Sequence, residues 1–252
     1  MMEISGLLVD LDGTLYVGGE PILGAVEAVE RMRESGVSLR FVTNTTRKPR
    51  REVHENLFRL GFGIEESEII TSAKTAAALI GGRSCHPLVD ESLLEDLSGV
   101  RIAEESPDIV LVGDIGEDFT YERLNMAFRC VMEGAEILAL QKNRFWRRSD
   151  GLALDAGPFV AALEYASGKS ATVVGKPEEA FFRGALEELG GIEAGKIAMV
   201  GDDPESDVGG ARRMGMKGIQ VKTGKYRPGD ESNADLVIES VADLPEALRT
   251  GS

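Results

Sequence analysis

The sequence predicts an α/β protein: a parallel sheet covered by helices on both faces, with a second α/β unit inserted into it. Short apolar runs recur along the chain, at Gly6-Leu7-Leu8-Val9, Leu39-Arg40-Phe41-Val42, Ala171-Thr172-Val173-Val174 and Ile197-Ala198-Met199-Val200. Runs of this length without alternation read as buried parallel strands. Segments with helical spacing separate them, the pattern of crossover units. The interval between Thr71 and Ala171 is too long for a loop, since structureless loops beyond ~15 residues are uncommon in compact domains.

Each element follows from local chemistry. After the first strand, Ala25, Val26, Val29 and Met32 fall on one helical face, and Gly36 can close that helix. The second strand runs to Thr43; a helix fits Arg50 to Leu60, stopped by Gly61. Ile69-Ile70-Thr71 is a short strand, and Ser72 is the expected cap of a helix through Ala76-Ala77-Ala78-Leu79. The interval that follows holds strands at Ile109 to Val112 and Ile137 to Leu140, and helices around Tyr121 to Met132 and Phe159 to Ala166. It reads as an inserted domain over 77–172, flanked by a first domain over 1–76 and 173–252. The sheet of the first domain is expected to resume with Ala171 to Val174, and Pro177 is placed at a helix start.

The strands end in reactive residues. The first leads into Asp10-Leu11-Asp12-Gly13-Thr14, the second into Thr43-Asn44, the third into Gly175-Lys176-Pro177, the fourth into Gly201-Asp202-Asp203, with Asp207 beyond. Asp10 and Asp12, two apart, share one side of an extended backbone, and Gly13 lets the chain turn away. Ligands of open α/β sheets bind at this carboxyl edge. Turn chemistry alone explains any single polar strand end; the ordered set of four is harder to obtain that way.

Composition narrows the function. The 252 residues, 42% hydrophobic, suffice for a sizeable core in one large domain or two smaller ones. No apolar stretch approaches the ~20 residues that span a bilayer, and the opening Met-Met-Glu-Ile-Ser-Gly lacks the layout of a signal peptide. Only Cys85 and Cys130 are present, so no disulfide framework is implied, and the expected compartment is the cytoplasm. A net charge of −15 argues against binding nucleic acid or an anionic membrane. The basic clusters Arg47-Lys48-Pro49-Arg50-Arg51 and Arg144-Phe145-Trp146-Arg147-Arg148 stand out against it, though each also reads as a solvated surface. His54 and His86 lie in no ligand-spaced motif, which leaves acid–base work to carboxylates.

With these four motifs in order, the chain resembles the haloacid dehalogenase (HAD) superfamily of phosphotransferases. The insertion, the Phe41-Val42-Thr43-Asn44-Thr45-Thr46 wording and Val221-Lys222-Thr223-Gly224-Lys225-Tyr226 are similar to subfamily IIA, with its 4-nitrophenylphosphatase-like and phospholysine–phosphohistidine–inorganic-pyrophosphate-phosphatase-like members. The resemblance implies a Rossmann-like parallel-sheet core with a C2-type cap. It makes Asp10 the nucleophile and Asp12 the general acid and base. It makes Asp10, the Asp12 carbonyl and Asp202 ligands of Mg²⁺, with Asp207 acting through water or by orienting the loop. Asp203 either joins Asp207 in that role or starts the following turn. Two like charges ~4 Å apart repel by about 4 kcal/mol at an effective dielectric near 20, so the site needs cations. Lys176 supplies one, or else is a surface lysine beside a turn; Thr43 and the Asn44 backbone N–H would hold phosphoryl oxygens.

The implied reaction is hydrolysis of a small phosphorylated molecule. Other readings of the same motifs are a paired-acid metal site without covalent catalysis, a phosphotransferase or mutase with a sugar acceptor, and a phosphoryl-accepting signalling module. In the cap, Trp146, Arg147 and Asp155 are candidates for substrate choice, with Asp155-Ala156-Gly157-Pro158 just before a helix whose N-terminus offers backbone donors. Packing within the cap is the alternative for Trp146, and solvation for the arginines. The resemblance also allows a homodimer paired through the cap, although no helix of this sequence carries an obvious exposed dimer seam.

Overall fold

A computed structural model describes residues 3–148 and 151–249, with backbone alone at 146–148 and 232. The chain divides into two units, Met1–Thr43 with Arg50–Ile70 and Lys176–Ser252, and Asn44–Pro49 with Thr71–Gly175. The first unit opens with β1 (Gly6–Asp10), every residue of it buried. A small antiparallel hairpin, β2 (Tyr16–Val17) and β3 (Glu20–Pro21), precedes α1 (Ala25–Glu34). Then come β4 (Ser38–Thr43), α2 (Arg50–Arg59) and β5 (Ile69–Thr71).

The second unit continues through α3 (Ser72–Ile80), β6 (Ser84–Leu88), β7 (Arg101–Ile102), β8 (Ile109–Val112), α4 (Tyr121–Glu133) and β9 (Glu136–Ala139). It closes with the antiparallel hairpin β10 (Phe145–Arg148) and β11 (Gly151–Leu154), α5 (Ala156–Ser167) and β12 (Thr172–Val173). Its main sheet, in the order β12-β9-β8-β6-β7, is parallel throughout. Val110 and Val112 of β8 pack with Val131 of α4 and with Val160 and Leu163 of α5, so this unit has its own core.

The chain returns to the first unit with α6 (Glu179–Glu188), β13 (Ile197–Gly201), α7 (Gly210–Arg213), β14 (Lys217–Val221), β15 (Leu236–Ile238) and α8 (Leu244–Arg249). The six-stranded sheet runs β15-β14-β13-β1-β4-β5. Because side chains alternate along a strand, Leu7 and Val9 of β1 join α1, α2 and α8 on one face, while Leu8 meets Phe181, Phe182 and Ala211 of α6 and α7 on the other. Two buried faces are why β1 carries no alternating polar residue.

Three expectations need correction. Ala171 to Val174 does not resume the first sheet: β12 covers only Thr172–Val173 and pairs with β9 of the second unit. An apolar run carries no mark of which of two parallel sheets it joins. The cap of α3 is Thr71, whose hydroxyl accepts from the Lys74 N–H at 3.1 Å, and Ser72 is the first helical residue. Pro177 lies before the Glu178 cap of α6, outside the helix.

Candidate active site

Parallel strands bring their carboxyl ends to one edge, and register fixes the level of each. Asp10 pairs with Val42, so Thr43 lies one residue further along β4. Val9 pairs with Val200, so Gly201 is level with Asp10 and Asp202 follows it. The first unit therefore collects Asp10, Asp12, Thr43, Asp202, Asp203 and Asp207, with Lys176 reaching the same place from the chain's return.

Carboxylate oxygens of Asp10, Asp202 and Asp207 lie within 4.8 Å of one another, all three residues buried. The Lys176 ammonium, also buried, donates to Asp10 Oδ1 at 2.5 Å and to Asp207 Oδ1 at 2.7 Å. Lys176 is thus no surface lysine. Burial would lower its pKa, but Asp10 and Asp207 outweigh that and hold it well above its usual range. Burial, opposed by the Lys225 N–H and reinforced by Asp10, pushes Asp202 up to about 6. Burial also drives Asp207 well above the usual carboxylate range, with Lys176 resisting and Asp10 adding to the rise. Burial is the main cause of both shifts, and three clustered carboxylates face the single ammonium of Lys176.

Asp12, beyond the end of β1, is exposed where Asp10 is buried. Its backbone bridges Tyr16, and the Gly13 N–H donates to the Tyr16 carbonyl at 2.8 Å. Thr14 donates its hydroxyl to Asp10 Oδ2 at 3.2 Å. The Asp203 side chain accepts from the Glu205 and Ser206 N–H groups and so starts the π-helical turn Pro204–Gly209 that carries Asp207. It also accepts from Lys225 Nζ at 3.2 Å. Burial would raise its carboxyl, but the Ser206 N–H and Lys225 hold it below the usual range.

Asn44, Trp146, Arg147 and Asp155 belong to the second unit. Beside Asn44, Arg47 makes a forked ion pair with buried Asp114, at 2.6 and 3.0 Å, which moors the Asn44–Pro49 segment within that unit. Asp155 is buried as the cap of α5: it accepts from the Ala156 N–H at 2.7 Å and from Gln141. Burial raises its pKa. The first donors of α5, expected to be available, are occupied: Ala156 N–H by Asp155, Gly157 N–H by the Asn143 carbonyl, and Pro158 has none. The backbone at Trp146 and Arg147 lies in β10, while their side chains, like Asp150 as a whole, fall outside the described residues.

Sequence reasoning gave no role to Thr14, Gln220, Thr223 or Lys225. Gln220 donates to the Asp202 carbonyl at 2.7 Å, and the Lys225 N–H donates to Asp202 Oδ2 at 2.7 Å. Thr223 donates its hydroxyl to the Gly13 carbonyl. The available signal was a fifth strand end of the same kind, Val221 followed by the polar pair Lys222-Thr223 and then Gly224.

Two family matches cover most of this arrangement. Residues 7–102 match the family described as haloacid dehalogenase-like hydrolase, and 173–244 match one described as HAD-hydrolase-like. A human protein named haloacid dehalogenase-like hydrolase domain-containing protein 2 is 46% identical over 230 residues, covering 90% of this chain and 88% of that protein. Human phospholysine phosphohistidine inorganic pyrophosphate phosphatase is 41% identical over 257 residues, covering 97% and 93%. Among solved structures, the p-nitrophenyl phosphatase from Archaeoglobus fulgidus superposes with a TM-score of 0.89 at 27% identity, covering 97% of this chain and 99% of that one. A 4-nitrophenylphosphatase from Thermotoga maritima gives 0.89 at 27%, covering 98% of each.

Proposed function

The chain belongs to the haloacid dehalogenase-like hydrolase family and is a phosphatase; from that premise we propose a magnesium-dependent enzyme that hydrolyses a small phosphorylated metabolite through an aspartyl phosphate on Asp10. The observation that carries this reading is the Lys176 ammonium bridging Asp10 and Asp207 beside Asp202.

The donor set fits the metal. Converging carboxylate oxygens are hard ligands, and three of them gather around the one ammonium of Lys176, which leaves room in the charge balance for a divalent cation. Asp10, Asp202 and the Asp12 carbonyl would hold Mg²⁺, with Asp207 and Asp203 orienting them. When bound, Mg²⁺ offsets negative charge on the transferring group. Asp10 attacks phosphorus and the bond to the leaving oxygen breaks, while Asp12 passes its proton to that oxygen. Water then attacks the aspartyl phosphate; Asp12 takes the proton, the bond to Asp10 breaks and orthophosphate leaves. Exposure of Asp12 suits both proton transfers. The Thr43 hydroxyl and Asn44 N–H bind phosphoryl oxygens, and Lys176 screens the nucleophile.

Substrate choice falls in this reading to a C2-type cap over 77–172, through Trp146, Arg147 and Asp155. One relative is named for phospholysine, phosphohistidine and pyrophosphate, which makes phosphoramidates and pyrophosphate the first compounds to assay beside phosphate monoesters. A cytoplasmic location and pairing of two copies through the cap complete the proposal. No helix among the described residues is long and apolar enough to cross a membrane.

The decisive test is acid-quenched mass spectrometry during turnover of 4-nitrophenyl phosphate. The parent should carry a phosphoryl adduct, absent from Asp10→Asn, whose turnover should fall by at least about 10³-fold. Asp10→Asn activity within about tenfold of the parent would overturn the covalent mechanism.

A further inference from the structure

The turn leaving β14 makes a set of contacts with the site that the four motifs leave out. Gln220 lies opposite Gly201 in the β13–β14 register, and its Nε2 donates to the Asp202 carbonyl at 2.7 Å. Past β14, the Lys225 N–H donates to Asp202 Oδ2 at 2.7 Å, and Thr223 Oγ1 donates to the Gly13 carbonyl. Gly224 sits between, at φ +57; a Cβ there would come within 2.1 Å of Asp202 Oδ2 and 2.6 Å of Gly13 Cα. Gly13 meets it from the other chain segment, at φ +94 with its own Cβ position 2.1 Å from the same oxygen. Positive φ and lack of space both restrict these positions to glycine.

These contacts fix two things at once. The Asp202 carboxylate has its backbone and one of its oxygens held by β14 and its turn. The Asp12–Gly13 peptide is held through the Gly13 N–H, which donates to the Tyr16 carbonyl. A trans peptide then points the Asp12 carbonyl the opposite way, and the Thr223 hydroxyl holds the next peptide in line. Lys225 Nζ extends the set to Asp203, which caps the turn bearing Asp207.

We propose that Thr223-Gly224-Lys225 is a positioning element for the divalent cation, orienting the Asp202 carboxylate and the Asp12 carbonyl so that the turn sets cation affinity. The proposal rests on the magnesium reading above. Partners that orient metal ligands typically contribute 10- to 100-fold in affinity.

Thr223→Val keeps the side chain's shape and removes only the hydroxyl, and Thr223→Ser restores it. Mg²⁺ binding to each full-length variant should be measured by titration calorimetry, with melting in chelator to establish folding. Thr223→Val should weaken Mg²⁺ binding by about tenfold and raise the half-saturating Mg²⁺ for turnover by the same factor. Its kcat at saturating Mg²⁺ should change far less, and Thr223→Ser should bind like the parent. Thr223→Val binding Mg²⁺ within about twofold of a parent that binds it would overturn the positioning role alone. So would a loss of kcat with unchanged affinity. A parent that takes up no Mg²⁺ would overturn the metal reading and this proposal with it.

Discussion

Two carboxylates two residues apart have been given different surroundings. Asp10 is buried against Lys176 and Thr14; Asp12 is exposed. If Asp12 is the general acid, Asp12→Asn should slow poor leaving groups most. Hydrolysis of an alkyl phosphate should fall by about 10²-fold or more, and that of 4-nitrophenyl phosphate by much less. Equal losses on both substrates would remove Asp12 from that role. Metal dependence is a separate expectation: chelation abolishes turnover, Mg²⁺ restores it, and Asp202→Ala raises the Mg²⁺ required, read from rate against Mg²⁺ concentration. Full activity in excess chelator would sink it. The strand-end positions of Asp10, Asp12 and Asp202 were legible because each lies at or just past the end of an apolar run, and the four runs come in order. Thr223 and Lys225 were not, because their contacts reach across 210 and 23 residues of sequence, and one is made by a backbone amide.

At the scale of elements, α5 begins on a buried cap. Asp155→Ala removes the acceptor for the Ala156 N–H and leaves the Gln141 amide without that partner, at a cost of about 2 kcal/mol. Asp155→Asn keeps the acceptor and should melt closer to the parent. An Asp155→Ala variant melting with the parent would show that the cap contributes little. In β6, burial pushes the pKa of His86 down, against Glu104 and the Ala103 backbone. The folded unit therefore favours the neutral ring, while the unfolded chain takes up the proton near its ordinary 6.5. This contribution to stability is present above that pH and is lost as pH falls through the lower folded value. His86→Leu should flatten the decline in melting temperature between pH 7 and 5; identical slopes would exclude His86 as a cause. Strands such as β5 and β8 could be read from sequence because their apolar runs coincide with the element. The hairpin β10–β11 could not, since Arg144, Arg147 and Arg148 break any apolar alternation there. Sheet membership of β12 was invisible for the same physical reason that its strand character was visible: the run is apolar and says nothing of its neighbours.

At the scale of the whole molecule, each unit has its own hydrophobic core, around β1 and its neighbours in one and around β8, α4 and α5 in the other. The clustered carboxylates Asp10, Asp202 and Asp207 belong to the first unit. The chain's only tryptophan, Trp146, is in β10 of the second. Emission excited at the red edge of the protein spectrum, where tyrosine is dark, therefore comes from one unit and one strand. Units with separate cores can lose structure in separate transitions. Added Mg²⁺ should then delay the far-ultraviolet signal of the first unit in a denaturant series, while the tryptophan midpoint stays where chelator leaves it. Midpoints that coincide and move together would mean the units unfold as one. If they part, a single indole makes the second unit separately visible to a spectrometer, without any label.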